Sequence, residues 1–213
     1  MTATERKLLS ESQLKKLKVP IISDLPLLEE EAEAKLRDPK AVAQRILILT
    51  YLNVASEDEA SKEEIVVFLK NKRLWDAVSP KEKKLFEKPR LSEMESLSIA
   101  WQAEAVKCLL WSIQKINNLD LPFEEADINH LLDKLPEFLS DPYEFIQDAE
   151  LRPTSEILDM SDFLYRLHSS ILEIDDDKME SLKINFNIVY ERHYAINWLT
   201  YFAEGWDEID QAE

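Results

Sequence analysis

The chain has 213 residues, 45% of them hydrophobic, and a single glycine, Gly205, whereas average usage is about 7%. Phosphate-cradling loops and the tight turns of sheet-rich folds depend on glycine, so the composition argues against a dinucleotide-binding fingerprint, a P-loop and a sheet-rich fold. The net charge of −17 argues against a nucleic-acid partner, because neutralising phosphates requires Lys and Arg.

The predicted elements are helices from end to end. Residues 1–25, with five Lys and Arg residues and Pro20, are expected to form a loosely attached arm, and residues 26–213 a single helical domain. Oxygen-bearing caps, most of them followed by Glu or Pro, mark five helix starts: Asp38-Pro39, Ser61–Glu64, Ser79–Glu82, Ser92–Glu95 and Asp141–Glu144. The predicted helices cover about 28–36, 39–55, 61–72, 79–86, 92–116, 127–134, 141–148, 154–175 and 187–203.

The segment 92–116 is the longest of these and is apolar over much of its circumference. We therefore expect an all-α fold, a compact irregular bundle of eight to nine helices around a central helix at about 92–116. Gly205 follows the last helix, where a left-handed residue is expected. Lys183–Ile188 alternates apolar and polar residues and could be a short extended piece. Asp175–Asp177 is interpreted as a solvated turn, because the glycine and the glutamate of a calcium loop are missing.

Cysteine usage and hydropathy predict a cytoplasmic protein. Cys108, the single cysteine, has apolar neighbours and is expected to be buried; it can form no internal disulfide, which fits a reducing compartment. The first ten residues lack the apolar stretch of a signal peptide. The most apolar segment, Ala41–Ala55, is too short to span a bilayer and is interrupted by Gln44 and Arg45.

The negative charge is confined to one half of the chain. Residues 1–100 hold 18 basic and 18 acidic residues, whereas residues 101–213 hold 8 basic and 25 acidic residues, which accounts for the whole −17. Such a surface would attract a basic protein partner, mainly through a faster association rate. Charge that merely keeps helix surfaces soluble is the alternative explanation.

The candidate site lies on the last predicted helix. Tyr190, His193 and Asn197 recur at helical spacing and line one stripe, with Glu191 and Arg192 on adjacent stripes. This helix is apolar or aromatic nearly all round, so we expect it to be buried and its charged groups to find partners. Suitable partners elsewhere are Asp162, Arg166 and His168 on helix 154–175 and Glu104 on helix 92–116.

Two interpretations of these residues remain open. In the structural one, Glu104 and Glu191 pair with Arg166 and Arg192, and the histidines hydrogen-bond to backbone carbonyls. In the functional one they line a pocket, since a guanidinium beside an imidazole binds phosphate or carboxylate, and His with Glu can transfer protons. The ligand-binding candidates are then Arg166, His168, Glu191, Arg192, His193, Tyr190, Asn197 and Glu104. Common zinc and serine-hydrolase motifs are absent from the sequence, and we predict no metal and no cofactor.

Several segments together resemble a bacterial protein family that is defined only as a domain of unknown function, number 4272. They are Leu74–Pro80 with Glu82, Trp101–Glu104, Leu110-Trp111, Leu151-Arg152, Tyr165–His168, Glu191–Trp198 and Trp206–Asp210. The resemblance covers roughly residues 35–210 and implies a bacterial source, but no established activity, substrate or cofactor. Ser169-Ser170 and Gln211 depart from the family pattern.

The leading functional expectation is a non-enzymatic acidic interaction module that binds a basic protein partner, with neither nucleic acid nor membrane as a partner. The alternative is a ligand-binding protein or a hydrolase that acts on a phosphate- or carboxylate-bearing small molecule through the Arg, His and Glu cluster. A third possibility, a subunit that fills an assembly, would show a large exposed apolar patch.

Overall fold

The computed structural model describes residues 1–209, which contain α-helices and short 3-10 turns but no β-strand. The all-α prediction is therefore confirmed. Asp210 and Gln211, which enter the family resemblance, lie outside the described residues. The helices are α1 Ala3–Lys16, α2 Pro39–Glu57, α3 Lys62–Asn71, α4 Pro80–Glu87, α5 Glu93–Trp101, α6 Ala103–Ser112, α7 Ile128–Leu131, α8 Tyr143–Gln147, α9 Thr154–Leu172, α10 Asp176–Leu182 and α11 Phe186–Leu199.

Two helices hold the bundle together. The helix α2 is buried over most of its circumference and packs against α3, α5, α6 and α8. The helix α11 is buried along most of its length, as the sequence predicts, and packs against both α6 and α9. This packing places Arg192 of α11 against Glu104 of α6 and His193 of α11 against His168 of α9.

The long central helix predicted over 92–116 is not continuous. Gln102 separates α5 from α6, and its N–H donates to the carbonyl of Ile99 at 3.0 Å. At the other end, α6 stops at Ser112, because the backbone turns at the left-handed Gln114 and the N–H of Lys115 donates back to the carbonyl of Leu110 at 2.9 Å. Arg152 binds the last two carbonyls of the helix. Its Nε donates to the carbonyl of Trp111 at 2.7 Å, and its backbone N–H donates to that of Ser112 at 2.8 Å. An arginine from a distant loop thus supplies the donors that a continuing helix would have supplied.

The prediction of a loosely attached arm over residues 1–25 also differs from the structure. The helix α1 packs against α9 and buries Arg6 and Leu14 almost completely. Arg6 Nε lies 3.0 Å from Asp159 Oδ1 on α9. The packing of α1 could not be predicted from the sequence, because an arginine occupies much of its buried face and α1 therefore lacks a clear apolar stripe. The single domain over 26–213 stays a prediction.

Local capping signals succeed where their partners are close in sequence. Asp38, Ser79 and Ser92 cap α2, α4 and α5, and the last two form reciprocal capping boxes. Ser61 is an exception, since its side chain makes no capping bond to α3. The predicted helix at 28–36 is wrong: the structure has only a short turn there, at residues 31–33.

The region around α10 differs from prediction in two ways. The predicted solvated turn at Asp175–Asp177 is the start of a helix, because the Asp175 side chain accepts the N–H of Lys178 and caps α10. The extended piece at 183–188 is absent. Lys183 ends α10 in a left-handed conformation, and Asn185 caps α11 by accepting the N–H of Asn187 at 2.9 Å.

The prediction of a left-handed conformation at Gly205 is wrong. Gly205 has a φ of −100° and is not left-handed. Within residues 1–209, the left-handed positions are all occupied by residues with side chains: Lys18, Arg73, Gln114, Leu139, Lys183 and Tyr201. Each such position costs roughly 1–2 kcal/mol relative to a right-handed one. The chain therefore accepts backbone strain at five helix ends, and in the turn at Leu139, instead of using glycine there.

Candidate functional site

The first element of the site is a buried ion pair between α6 and α11. Arg192 Nε lies 2.8 Å from Glu104 Oε2, and each side chain is about 1% exposed. The second oxygen of Glu104 accepts the N–H of Ala126, and Arg192 Nη1 donates to the carbonyl of Asp120. The pair thus fixes both ends of the 120–126 loop onto the two helices. This pairing is one of those that the structural interpretation predicts.

Arg166 takes a different partner from the predicted one. Its guanidinium binds the Asp162 carboxylate through two bonds of 2.9 Å, both within one turn of α9. Its Nη2 also donates to the carbonyl of Pro26 at 2.8 Å. Because Arg166 and Asp162 are both buried, the carboxylate neutralises a charge that would otherwise be unpaired in the core.

The two histidines pair with each other rather than with carbonyls. His168 Nδ1 lies 2.9 Å from His193 Nδ1, so one ring must donate this hydrogen and the other must accept it. Burial lowers the pKa of His168, and burial together with the neighbouring His168 lowers the pKa of His193 to about 3. Both rings are therefore neutral at physiological pH, and in the shared hydrogen bond the Nδ1–H tautomer of one ring donates to the bare Nδ1 of the other.

Aromatic rings enclose the histidine pair. Tyr165 lies against His193, and Phe186 and Tyr190 lie against His168, with centroid separations between 5.7 and 6.2 Å. Nε2 of His168 is buried and has no hydrogen-bond partner among the described residues. This apolar enclosure explains the lowered pKa values, because a charged imidazolium would lose its hydration there.

Glu191 and Asn197 complete the predicted set. Burial, and then the negative charge of Glu104, raise the pKa of Glu191 to about 8. Its carboxyl makes no ion pair within residues 1–209. Asn197 is buried near the end of α11, where its backbone carbonyl accepts the N–H of Phe202 at 2.9 Å. Neither the predicted pairing of Glu191 with an arginine nor a role for the Asn197 side chain is seen.

The predicted residues thus separate into two ion pairs, a histidine pair and a half-buried carboxyl. Arg192 lines an open cavity of about 480 Å³ between α1 and α9, and the other seven candidates are not among the residues lining it. The convergence on one cavity that an Arg, His and Glu active site requires is not observed. Cys108 is buried as predicted, and burial raises its pKa to about 12, so its thiol is unreactive.

A further buried cation, Arg45, was not predicted as part of a polar cluster. Its Nη1 lies 2.7 Å from Glu82 Oε1, and its guanidinium lies 5.0 Å from the centre of the Trp206 ring. Next to it, the Asp207 carboxylate accepts from the Ser79 hydroxyl at 2.7 Å and from the Lys81 N–H at 2.8 Å. Two of the motif segments, 74–82 and 206–209, therefore meet in space.

The sequence contained a signal for this contact, because Arg45 interrupts the apolar run of α2 and a buried cation needs a partner. Glu82 was already assigned as the third residue of a capping box, which hid its second role. Within residues 1–209, no three His, Cys, Asp or Glu side chains come together as metal ligands would. Among the same residues, no helix has the length and apolarity needed to cross a bilayer.

The fold and its buried polar pairs define an all-α protein in which α11 joins α6 and α9 through charged and imidazole side chains. A sequence model of the family described as Domain of unknown function (DUF4272) matches residues 6–209, and the chain belongs to this family. No curated protein and no solved structure is significantly similar to the chain.

Proposed function

We propose that this protein is a cytoplasmic, non-enzymatic interaction module that binds a basic segment of a protein partner on its acidic half. The observation that carries the proposal is the charge of the exposed side chains between residues 101 and 209. Seventeen Asp and Glu residues are exposed there, against four Lys residues. The buried acids Glu104 and Asp162 already have arginine partners. Of the exposed acids, Asp120, Asp141 and Glu156 pair with Lys107, Lys72 and Arg152, and the remaining exposed excess is available to a partner.

The excess is concentrated in one stretch, residues 117–150, which we call the acidic segment. Ten of the seventeen exposed acids lie in it, and Lys134 is its one exposed Lys or Arg residue. A surface of one sign raises the local concentration of oppositely charged partners and speeds association, with a steep dependence on salt. The same surface repels nucleic acid and the anionic faces of membranes.

The acidic segment also borders a groove that would receive an apolar side chain. This α2 groove, about 390 Å³ in volume, lies between the C-terminal half of α2 and residues 129–138. Tyr51 and Val54 contribute to one wall, while Leu132 and Phe138, exposed by 40% and 51%, contribute to the other. The hydroxyl of Tyr51 accepts the N–H of Leu139 at 3.2 Å and holds the two walls together.

Acidic side chains surround this apolar floor. Glu57, Asp58 and Glu137 line the α2 groove, and no Lys or Arg does. An apolar anchor that fills a pocket, with charged contacts at the rim, is the usual arrangement of a protein interface. The occupant that fits is therefore a segment in which Lys and Arg flank one or two large apolar residues. Cytoplasmic residence fits a fold whose single cysteine is buried and forms no internal disulfide.

The test uses fluorescence anisotropy with a labelled peptide in which Leu-Phe is flanked on both sides by Lys and Arg. A second peptide carries Ser-Ser at the centre. The acidic-segment variant changes Glu124, Glu137, Glu144 and Glu150 to Gln. The matched control changes four exposed acids of the balanced half, Glu31, Glu33, Glu63 and Glu87, to Gln. Both variants have a formal charge of −13 instead of −17.

We expect the acidic-segment variant to bind the Leu-Phe peptide about tenfold more weakly, since four exposed charges contribute about 0.3–0.5 kcal/mol each, and the control to bind nearly as the wild type does. The Ser-Ser peptide should bind more weakly than the Leu-Phe peptide. If both variants bound the Leu-Phe peptide equally weakly, the net charge of the protein, and not the acidic segment, would determine the affinity. Equal affinity for the two peptides would exclude the α2 groove.

Hydrolysis at the Arg, His and Glu cluster is not proposed. Arg166 and Arg192 are each held by a carboxylate, and the two histidines are enclosed by aromatic rings. General acid–base catalysis needs a proton-transfer group within reach of a bound substrate. Of the predicted residues, Arg192 lies at a cavity, and its role there concerns binding.

A further inference from the structure

We propose that the cavity between α1 and α9 is a binding site for an amphipathic monocarboxylate, a small molecule with one carboxylate head and an apolar body. This α1–α9 cleft, about 480 Å³ in volume, falls within the range of roughly 300–1,000 Å³ that is typical of small-molecule sites. The proposal is independent of the basic partner, because the acidic segment contributes only residues 119–122 to the cleft.

The walls of the cleft suit an apolar body. Trp111 of α6, Leu119 of the following loop and three residues of α9, Met160, Phe163 and Leu164, line it. Burying apolar ligand surface against such walls is favourable because it removes that surface from water. The helix α1 contributes Leu9 and Gln13 to the lining, and its C-cap contributes Leu17, so the helix at the N-terminus is part of the site.

Two cations that line the cleft could bind the carboxylate head of the ligand. Arg192 lines the cleft and is about 1% exposed, and its Nη2 has no hydrogen-bond partner among the described residues. A buried guanidinium nitrogen without an acceptor is costly, and a carboxylate oxygen from a ligand would satisfy it. Lys16 of α1 also lines the cleft and makes no ion pair within residues 1–209.

The carboxylates of the cleft do not cancel these cations, because each already has a partner that does not line the cleft. The pairs are Asp159 with Arg6, Glu156 with Arg152 and Asp120 with Lys107. Arg192 is itself balanced by Glu104, so the uncompensated charge is the single one on Lys16. One net positive charge matches a monoanion better than a doubly charged phosphate.

The test is isothermal titration of the full chain with decanoate, and with 1-decanol as the uncharged probe of the same length. We expect decanoate to bind with one-to-one stoichiometry and decanol to bind at least tenfold more weakly. Lys16→Gln should weaken decanoate binding severalfold, whereas Lys15→Gln, an exposed neighbour that does not line the cleft, should not.

A cavity-filling variant keeps the test independent of the buried ion pair. Met160→Trp places a larger side chain in the cleft and should abolish decanoate binding, while Leu8→Trp, on an exposed position outside the cleft, should leave it unchanged. Circular dichroism confirms that both variants fold. Absence of decanoate binding to the wild type, equal binding of decanoate and decanol, or binding that survives Met160→Trp would each overturn the proposal.

Discussion

Glu191 offers a direct test of the buried network, because its carboxyl feels the charge of Glu104 but is not part of the Glu104–Arg192 ion pair. Burial and the charge of Glu104 raise its pKa from 4.5 to about 8. In the unfolded chain the same carboxyl would titrate near its ordinary value. The folded protein therefore binds a proton that the unfolded chain has released, and its stability falls as the pH rises from about 4.5 to about 8.

The size of the effect follows from the two pKa values. Relative to a carboxyl with an ordinary pKa, the raised pKa destabilises the folded state by about 1 kcal/mol at pH 5, about 3 kcal/mol at pH 7 and about 5 kcal/mol at pH 9. Glu191→Gln keeps the shape of the protonated carboxyl and has no proton to lose. We therefore expect this substitution to raise the free energy of unfolding by about these amounts, with the gain growing toward alkaline pH.

The assay is urea unfolding of the wild type, Glu191→Gln and Glu173→Gln at the three pH values. Glu173 is exposed just beyond α9, so its substitution controls for the loss of one negative charge. Comparing variants at each pH removes the titration of all other groups. A stability gain for Glu191→Gln that is the same at pH 5 and pH 9, or a loss of stability at pH 9, would refute the assignment of a protonated, half-buried carboxyl.

Three further predictions concern the ion pair, the histidine pair and the strained helix ends. Glu104→Leu should lower the free energy of unfolding by about 3–5 kcal/mol, because it leaves the Arg192 guanidinium buried and unpaired; adding Arg192→Met should restore much of the loss in the same urea assay. The pKa of His193 is lowered from 6.5 to about 3. The free energy of unfolding should therefore fall as the pH falls from about 6.5 toward 3, because only the unfolded chain binds a proton at this ring in that range. At pH 4.5 this loss is about 3 kcal/mol; thermal scans should show it in the wild type and not in His193→Phe, and an imidazole that titrates normally by NMR would contradict it. Arg73→Gly should raise the stability by about 1 kcal/mol, because φ is 59° at this position, whereas Arg90→Gly, without a left-handed φ, should lower it; the opposite order of melting temperatures would rule out strain at Arg73.

The sequence predicted which residues are buried in the candidate site better than it predicted which of them contact one another. The helical stripe on α11 and the apolar surroundings indicated that Arg192 and His193 are buried, and they are. The ion-pair partners of these residues were predicted less well. Glu104 was named as one for Arg192, but it lies 88 positions away, and the same reasoning gave Arg166 a glutamate when a neighbouring aspartate on its own helix holds it.

The amino-acid sequence by itself determined the all-α fold and many of the helix starts. One glycine in the whole chain disfavours sheets and phosphate loops, and the caps at Ser79 and Ser92 act over three residues. Such interactions are local, so they form wherever these residues occur. They can be identified without knowing the rest of the molecule.

Only the tertiary structure decided which charges neutralise one another, where the long apolar segment breaks and which face of α1 is buried. Arg152 donates to the last carbonyls of α6 from a distant loop, and Arg6 attaches α1 to α9. These contacts join groups far apart in sequence, and each depends on how every neighbouring helix packs. A buried cation must find an acceptor, but its own position in the chain does not specify which one.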